Sequence, residues 1–332
     1  KVERNFINYG VFVSFFPLLV AGPIERAQHL LPQIQRKRVF DYHKAVDGLR
    51  QIIWGLFKKV VIADQCARYV DEIFAHSGLY SGSTLLIGGI CFTLQVYCDF
   101  SGYSDIALGT ARLFGIELLK NFAFPFFSRD IAEFWRRWHI SLTSWFRDYL
   151  YIPLGGSKGG MWPKVRNISI IYVVSGFWHG ANWNFVMWGV LNALYVMPSV
   201  ILNKNRRYLD TVAAGKYFPT FMEALHIAIT FGLTVISLIV FRAADLTKAM
   251  HYLIDIVDLS LFTKPEVGPS SKIGLLIVAF FMIEWLGREQ AYAIERMGFM
   301  WPKIVRLAFY YTILFLIFYY AGEEQKFFYF QF

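Results

Sequence analysis

The stretch NISIIYVVSGFWHGANWNFVMWGVLNALYVMPSVILN, residues 167–203, contains no Asp, Glu, Lys or Arg. As one helix it would run about 55 Å at 1.5 Å per residue, far beyond the roughly 30 Å of a bilayer's hydrocarbon core. The stretch therefore has to break. Its weakest helical sequence is Ser175-Gly176-Phe177-Trp178-His179-Gly180-Ala181-Asn182-Trp183-Asn184, with two glycines and two asparagines. Irregular backbone at membrane depth survives only where protein or a water-filled cavity surrounds it. His179 sits inside that break.

The rest of the chain reads the same way. Of its 332 residues, 56% are hydrophobic and only 17% charged, where a soluble domain carries about 25% charge. Mean hydropathy is +0.41. Apolar runs cover residues 6–21, 45–63, 84–98, 103–116, 218–241, 273–285 and 304–321. The run over 45–63 is interrupted by Asp47, Arg50, Lys58 and Lys59 and is expected to be tilted or buried in protein. The runs are long and lack period-2 alternation, which excludes a closed barrel. With no repeat, low-complexity tract or long linker, one all-α, polytopic helical membrane domain over residues 1–332 is the economical reading. The aromatic tail at 327–332 reads as an interfacial anchor.

The net charge of +9 comes from 33 basic and 24 acidic residues. The basic residues fall in clusters between apolar runs: Arg36, Lys37 and Arg38; Lys58 and Lys59; Arg136 and Arg137; Lys158, Lys164 and Arg166; Lys204, Arg206 and Arg207. That is the pattern of cytoplasmic loops, not of a nucleic-acid-binding stripe. Cys66, Cys91 and Cys98 form no CxxC and no even-numbered framework, so they read as packing residues. The chain begins Lys1-Val2-Glu3-Arg4, without an initiator Met or a signal-peptide pattern. It reads as a piece whose earlier part is missing.

A second segment departs from simple spanning helices. Residues 129–152, RDIAEFWRRWHISLTSWFRDYLYI, carry too many charges to cross a bilayer. At helical spacing Ile131, Phe134, Trp138, Leu142, Trp145 and Tyr149 share one face, and Glu133, Arg136, Arg137, Ser144 and Arg147 lie away from it. Such a helix is expected to lie in the interface plane. His139 falls at the edge of the aromatic face.

His179 is the one histidine of the uncharged stretch. An ionisable group in a membrane segment is a functional candidate by default, and a neutral imidazole can take a proton from a hydroxyl near pH 7. The bland alternative is a histidine that hydrogen-bonds its neighbours and holds the break together. His139, in a charged segment, has weaker positional support. If that segment folds under the break, both histidines line one cavity. Asp99 and Asp105 bracket DFSGYSD between two apolar runs. Either Asp99 or Ser101 caps a helix start there, or a carboxylate orients a histidine or a substrate hydroxyl. The glycine-rich GGSKGG, residues 155–160, does not fit GxxxxGK[ST] and follows no strand, so a P-loop is excluded. With no strand before it the same segment offers no serine-hydrolase elbow, and no histidine cluster with metal-ligand spacing supports a metal enzyme.

Together these segments resemble the membrane-bound O-acyltransferase family, in particular its bacterial alginate O-acetylation branch. The resemblance rests on Phe15-Phe16-Pro17 with Ala21-Gly22-Pro23-Ile24, on Asp99 to Asp105, on Glu133-Phe134-Trp135-Arg136-Arg137-Trp138-His139-Ile140-Ser141-Leu142, on Trp145 to Gly156, on Gly176-Phe177-Trp178-His179-Gly180 and on Tyr329-Phe330-Gln331-Phe332. It is dense from about residue 10 to 190. A sister branch that moves D-alanine onto teichoic acids shares the Trp-His-Ile-Ser and Trp-His-Gly elements. The Tyr-Leu-Tyr-Ile-Pro-Leu-Gly-Gly run after Asp148 is more similar to the acetylation branch.

The resemblance implies a multi-helix funnel with re-entrant or interfacial helices, in the bacterial cytoplasmic (inner) membrane. It implies no bound cofactor: acetyl-CoA or another acetyl thioester is the donor substrate. The acceptor would be a hydroxyl of an exported or cell-surface polysaccharide. Expected partners are membrane lipid, an extracytoplasmic acetyltransferase and polysaccharide-synthase components. His179 matches the family's catalytic histidine. His139 matches a histidine that supports the site or lines the channel. Trp178, Asn182, Trp138, Asp148 and Asp105 are the expected substrate-binding residues. The runner-up readings are D-alanyl transfer and a non-enzymatic, proton-coupled transporter or scaffold.

Overall fold

The computed structural model describes residues 3–322. The aromatic tail at 327–332 lies outside the described residues. Within them the chain forms helices α1 (Phe6–Val13), α2 (Ala27–Gln35), α3 (Tyr42–Leu56), α4 (Asp64–Ala75), α5 (Gly82–Leu113), α6 (Ile131–Arg137), α7 (Ile140–Phe146), α8 (Met161–His179), α9 (Trp183–Ile201), α10 (Phe221–Arg242), α11 (Leu246–Ile256), α12 (Ser271–Leu286) and α13 (Lys303–Tyr320), with no strand among them. Four of these, α5, α9, α10 and α13, are long and apolar enough to cross a membrane. They differ in environment. α5 is 83% buried inside the protein over its apolar window, whereas α13 is only 11% buried. α5 is therefore the central post, and α13 turns most of its apolar surface outward.

α5 corrects the expectation of two apolar runs with a helix start between them. Residues 99–105 lie in the middle of one 32-residue helix, so neither Asp99 nor Ser101 caps anything. The aspartates are paired instead with a segment earlier in the chain. Between α3 and α4 the backbone widens into a π-helical turn, Phe57–Ala63. From this turn Lys58 reaches Asp105 at 2.6 Å and Lys59 reaches Asp99 at 2.7 Å. The interrupted run at 45–63 is thus buried in protein. α3 and α5 run antiparallel at backbone contact. A Cβ on Gly102 would lie 2.7 Å from the Gly55 carbonyl oxygen, and one on Gly48 would lie 2.6 Å from that of Gly109. Small residues permit this approach, which brings the lysines within reach of the aspartates.

The uncharged stretch breaks where expected. α8 ends at His179, Gly180 follows, and Asn182 caps α9 by accepting from Asn184 N at 3.2 Å. The result is a tight antiparallel hairpin. Gly176 packs its Cα face on Phe185, and Gly189 does the same on Tyr172.

The single amphipathic helix expected over 129–152 is not formed. α6 and α7 are separated by a kink at His139, whose φ is +42°. Ile131, Phe134, Trp138 and Leu142 of the expected apolar face are buried, but Trp145 and Tyr149 are exposed. Glu133, expected on the polar face, is 1% exposed. It is held by Arg129 at 3.1 Å and Arg137 at 2.8 Å. Two guanidiniums supply the bonds without which a buried carboxylate is costly. Helical periodicity could not reveal them.

Candidate active site

A cavity of about 770 Å³ lies between the α6–α7 kink, the α8–α9 hairpin and α10. Its long wall is α8. Lys164 lines one end and His179 the other, a separation of about 22 Å along the helix at 1.5 Å per residue. The Lys164 end is basic, with Arg136, Arg147 and Arg206 also in its lining. Arg136 donates to the Asn205 and Tyr208 carbonyls, each at 2.6 Å, and so ties the loop after α9 over this end. The glycine-rich segment borders the same end. Asn167 fastens it to α8 by donating to the carbonyls of Leu154 at 3.1 Å and Gly156 at 2.9 Å. Ser157 of that segment lines the cavity.

The His179 end is aromatic. The imidazole lies 5.2 Å from the Trp188 ring and 5.2 Å from the Phe241 ring, both nearly perpendicular to it. Trp178 flanks it at 4.9 Å. His139 lines the same cavity from the kink, with its ring edge-on to Phe100 at 4.7 Å. Burial, with a smaller contribution from the nearby His179 imidazole, pushes the His139 imidazole down to about 3. His139 is therefore neutral at neutral pH. Its Nδ1 has no hydrogen-bond partner among the described residues, and neither has the buried Trp135 Nε1 in the cavity wall.

The structure brings His179, His139 and Trp138 together in this lining. Four other expected residues lie outside it. Trp178 is 52% exposed and Asn182 serves as the α9 cap. Asp148 pairs with Arg147 at 2.8 Å and Arg26 at 3.4 Å. The Arg147 hydrogen bond holds the Asp148 carboxyl below the usual carboxylate range. Asp105 lines a separate polar pocket of about 30 Å³ with Lys58, Gln51 and Glu284.

Sequence reasoning missed Trp188, Phe241, Trp135 and Tyr172 as lining residues. Aromatic residues within apolar helices carry no mark that separates a cavity wall from packed core or a lipid face. Lys164 and Arg206 did carry a signal, as members of basic clusters, although not for this cavity.

Residues 3–240 match the sequence model of the membrane-bound O-acyltransferase family. The chain is 35% identical over 293 residues to the probable alginate O-acetylase AlgI of Pseudomonas aeruginosa, covering 87% of this chain and 54% of that protein. It is 38% identical over 258 residues to the peptidoglycan O-acetyltransferase of Helicobacter pylori, covering 77% of this chain and 47% of that protein. It is 30% identical over 256 residues to the teichoic acid D-alanyltransferase of Streptococcus thermophilus, covering 69% of this chain and 60% of that protein. The chain thus spans about half the length of the curated relatives it matches. The family match runs from the N-terminal segment through the kink, the hairpin and nearly all of α10, taking in both histidines of the cavity, and the chain belongs to the membrane-bound O-acyltransferase family.

Proposed function

We propose that this chain forms the catalytic part of an O-acetyltransferase of the bacterial cytoplasmic membrane. It takes an acetyl group from a cytoplasmic thioester, acetyl-CoA or another acetyl thioester, and passes it to hydroxyls of an exported or cell-surface polysaccharide through an extracytoplasmic partner. One observation carries the reading: His179 and His139 share an aromatic cavity whose other end is lined by Arg136, Arg147, Lys164 and Arg206.

Each end then has a task. The basic rim attracts the anionic head of the donor, and a flexible arm lays the thioester along α8 towards His179. The His179 imidazole accepts the proton of the attacking hydroxyl. The hydroxyl oxygen bonds to the thioester carbonyl carbon, the C–S bond breaks, and the imidazolium returns its proton to the thiolate. The transient oxyanion needs a donor in a dry site. Trp135 Nε1, buried in the wall without an acceptor among the described residues, supports that requirement. Apolar walls keep out the water that would hydrolyse the thioester.

D-alanyl transfer would use the same machinery. The acetyl reading is favoured by the matches to relatives named as acetylases, which cover 87% and 77% of the chain against 69% for the D-alanyltransferase. The test is His179→Ala in the full-length protein with membrane insertion verified. Ester-linked acetate should vanish from the secreted polymer while the polymer itself persists; acetylation at the wild-type level would overturn the reading.

A further inference from the structure

Behind His139 lies a polar clamp that the chemistry above does not use. The peptides on both sides of the kink are bonded to the extended segment 121–123. Ile140 N donates to Asn121 O at 2.9 Å, and Ala123 N donates to Arg137 O at 2.9 Å. The Asn121 side chain adds two more links. Its Oδ1 accepts from Ser141 Oγ, and its Nδ2 donates to Ser104 Oγ of α5 at 3.2 Å. Ser141 Oγ also accepts from Ile24 N at 2.9 Å. Asn121 is 1% exposed and lines the small polar pocket, not the large cavity.

The clamp acts on a strained point. His139 has φ +42°, a region that residues with a Cβ adopt uncommonly and at a cost in backbone strain. Its own Nδ1 offers no compensating bond among the described residues. The local sequence prefers something else. Ile131, Phe134, Trp138, Leu142, Trp145 and Tyr149 keep helical spacing straight through the kink, so the segment left to itself tends towards one continuous helix. Tertiary bonds to Asn121 oppose that tendency.

We propose that Asn121 is a positioning residue, holding His139 in the left-handed conformation that sets its imidazole in the cavity wall beside His179. The inference rests on the acyl-transfer reading of that cavity. Asn121 reaches the chemistry only through the kink, so its loss slows turnover without weakening donor binding at the distant basic rim.

The test is a double-mutant cycle on the full-length protein, read as thioester turnover with acetyl-CoA. Asn121→Ala should lower kcat by about tenfold and leave the donor KM within about twofold. In a His139→Gly background, where glycine adopts the kink freely and no imidazole remains to be placed, Asn121→Ala should cost no further activity. Unchanged turnover in Asn121→Ala, a KM rise matching the kcat loss, or multiplicative losses in the double variant would each overturn the proposal. If Asn121→Ala does not insert, Asn121→Ser is read in the same way. Should the wild-type protein turn over no thioester, the acyl-transfer reading fails but the clamp stays testable. Asn121→Ala should speed modification of His139 by diethyl pyrocarbonate, followed by mass spectrometry, about fivefold; an unchanged rate would sink the clamp.

Discussion

The Lys58 ammonium lies 2.6 Å from the Asp105 carboxylate, between the π-helical turn and the middle of α5, with side chains only 4% and 15% exposed. Gln51 Nε2 also donates to Asp105, at 2.8 Å, and Ser101 Oγ accepts from Lys58 at 2.9 Å. Removing one partner of such a pair leaves a buried charge uncompensated, at about 3–5 kcal/mol, whereas replacing both by apolar groups is often nearly neutral. Lys58→Met alone should therefore sharply lower the yield and melting temperature of the detergent-solubilised protein. Lys58→Met with Asp105→Leu should recover most of the loss. A double variant no better than the single one would mean that the pair's hydrogen bonds, not its charge balance, carry the stability.

The close contact of α3 and α5 makes a second expectation specific to position. A Cβ on Gly102 would meet the Gly55 carbonyl and also crowd Lys59 N at 3.2 Å. Backbone cannot yield as a flexible side chain does, so Gly102→Ala must push the helices apart. A loss of about 1–3 kcal/mol is expected, as for other overpacking defects. Gly232, in α10, is the control, because a Cβ there meets nothing within 4 Å. Gly232→Ala should be neutral or stabilising by up to about 1 kcal/mol through helix propensity. Thermal melts of the two variants in one detergent give the comparison.

These two contacts also mark how far the sequence could be read. The hairpin and the prominence of His179 were legible, because an uncharged stretch too long for one crossing must turn, and a single ionisable residue fell at the turn. The α5 aspartates look like a junction in the sequence because their partners, Lys58 and Lys59, lie in a different apolar run. The kink at His139 was illegible for another reason. Its positive φ is imposed by Asn121 and Ala123, and helical periodicity continues through it undisturbed. Helical spacing puts Glu133 on the polar face because a buried carboxylate with two guanidinium partners looks, in one dimension, like a solvated one. Local pattern recovered the α8–α9 hairpin; charges and strain that are satisfied at long range required the fold.

The rim of the cavity should bind the donor by charge. Lys164 and Arg206 line the end away from His179, and steering by such groups weakens with salt. Lys164→Glu with Arg206→Glu should raise the KM for acetyl-CoA by about tenfold, the equivalent of 1.4 kcal/mol, with kcat nearly unchanged. An acetyl thioester lacking phosphates should show no such shift. Equal effects on both donors would mean that the substitutions disturb the fold of the loop after α9, not the recognition of an anion.

Acid should destabilise the protein through His139. Burial holds its imidazole at about 3, against about 6.5 in an unfolded chain. Between these values the unfolded chain binds a proton that the native state refuses, so the contribution to stability is intact above about pH 6.5 and is lost as pH falls towards 3. At pH 5 the loss from this one group reaches about 2 kcal/mol, at 1.36 kcal/mol per pH unit. The melting temperature of the full-length protein should fall between pH 7.5 and pH 5, and His139→Gln should flatten that fall whatever its own stability at pH 7.5. The comparison of slopes removes any fixed cost of placing Gln at a positive φ. Parallel curves for the two proteins would mean that His139 takes up its proton as readily in the native cavity as in the unfolded chain, and so that water reaches it.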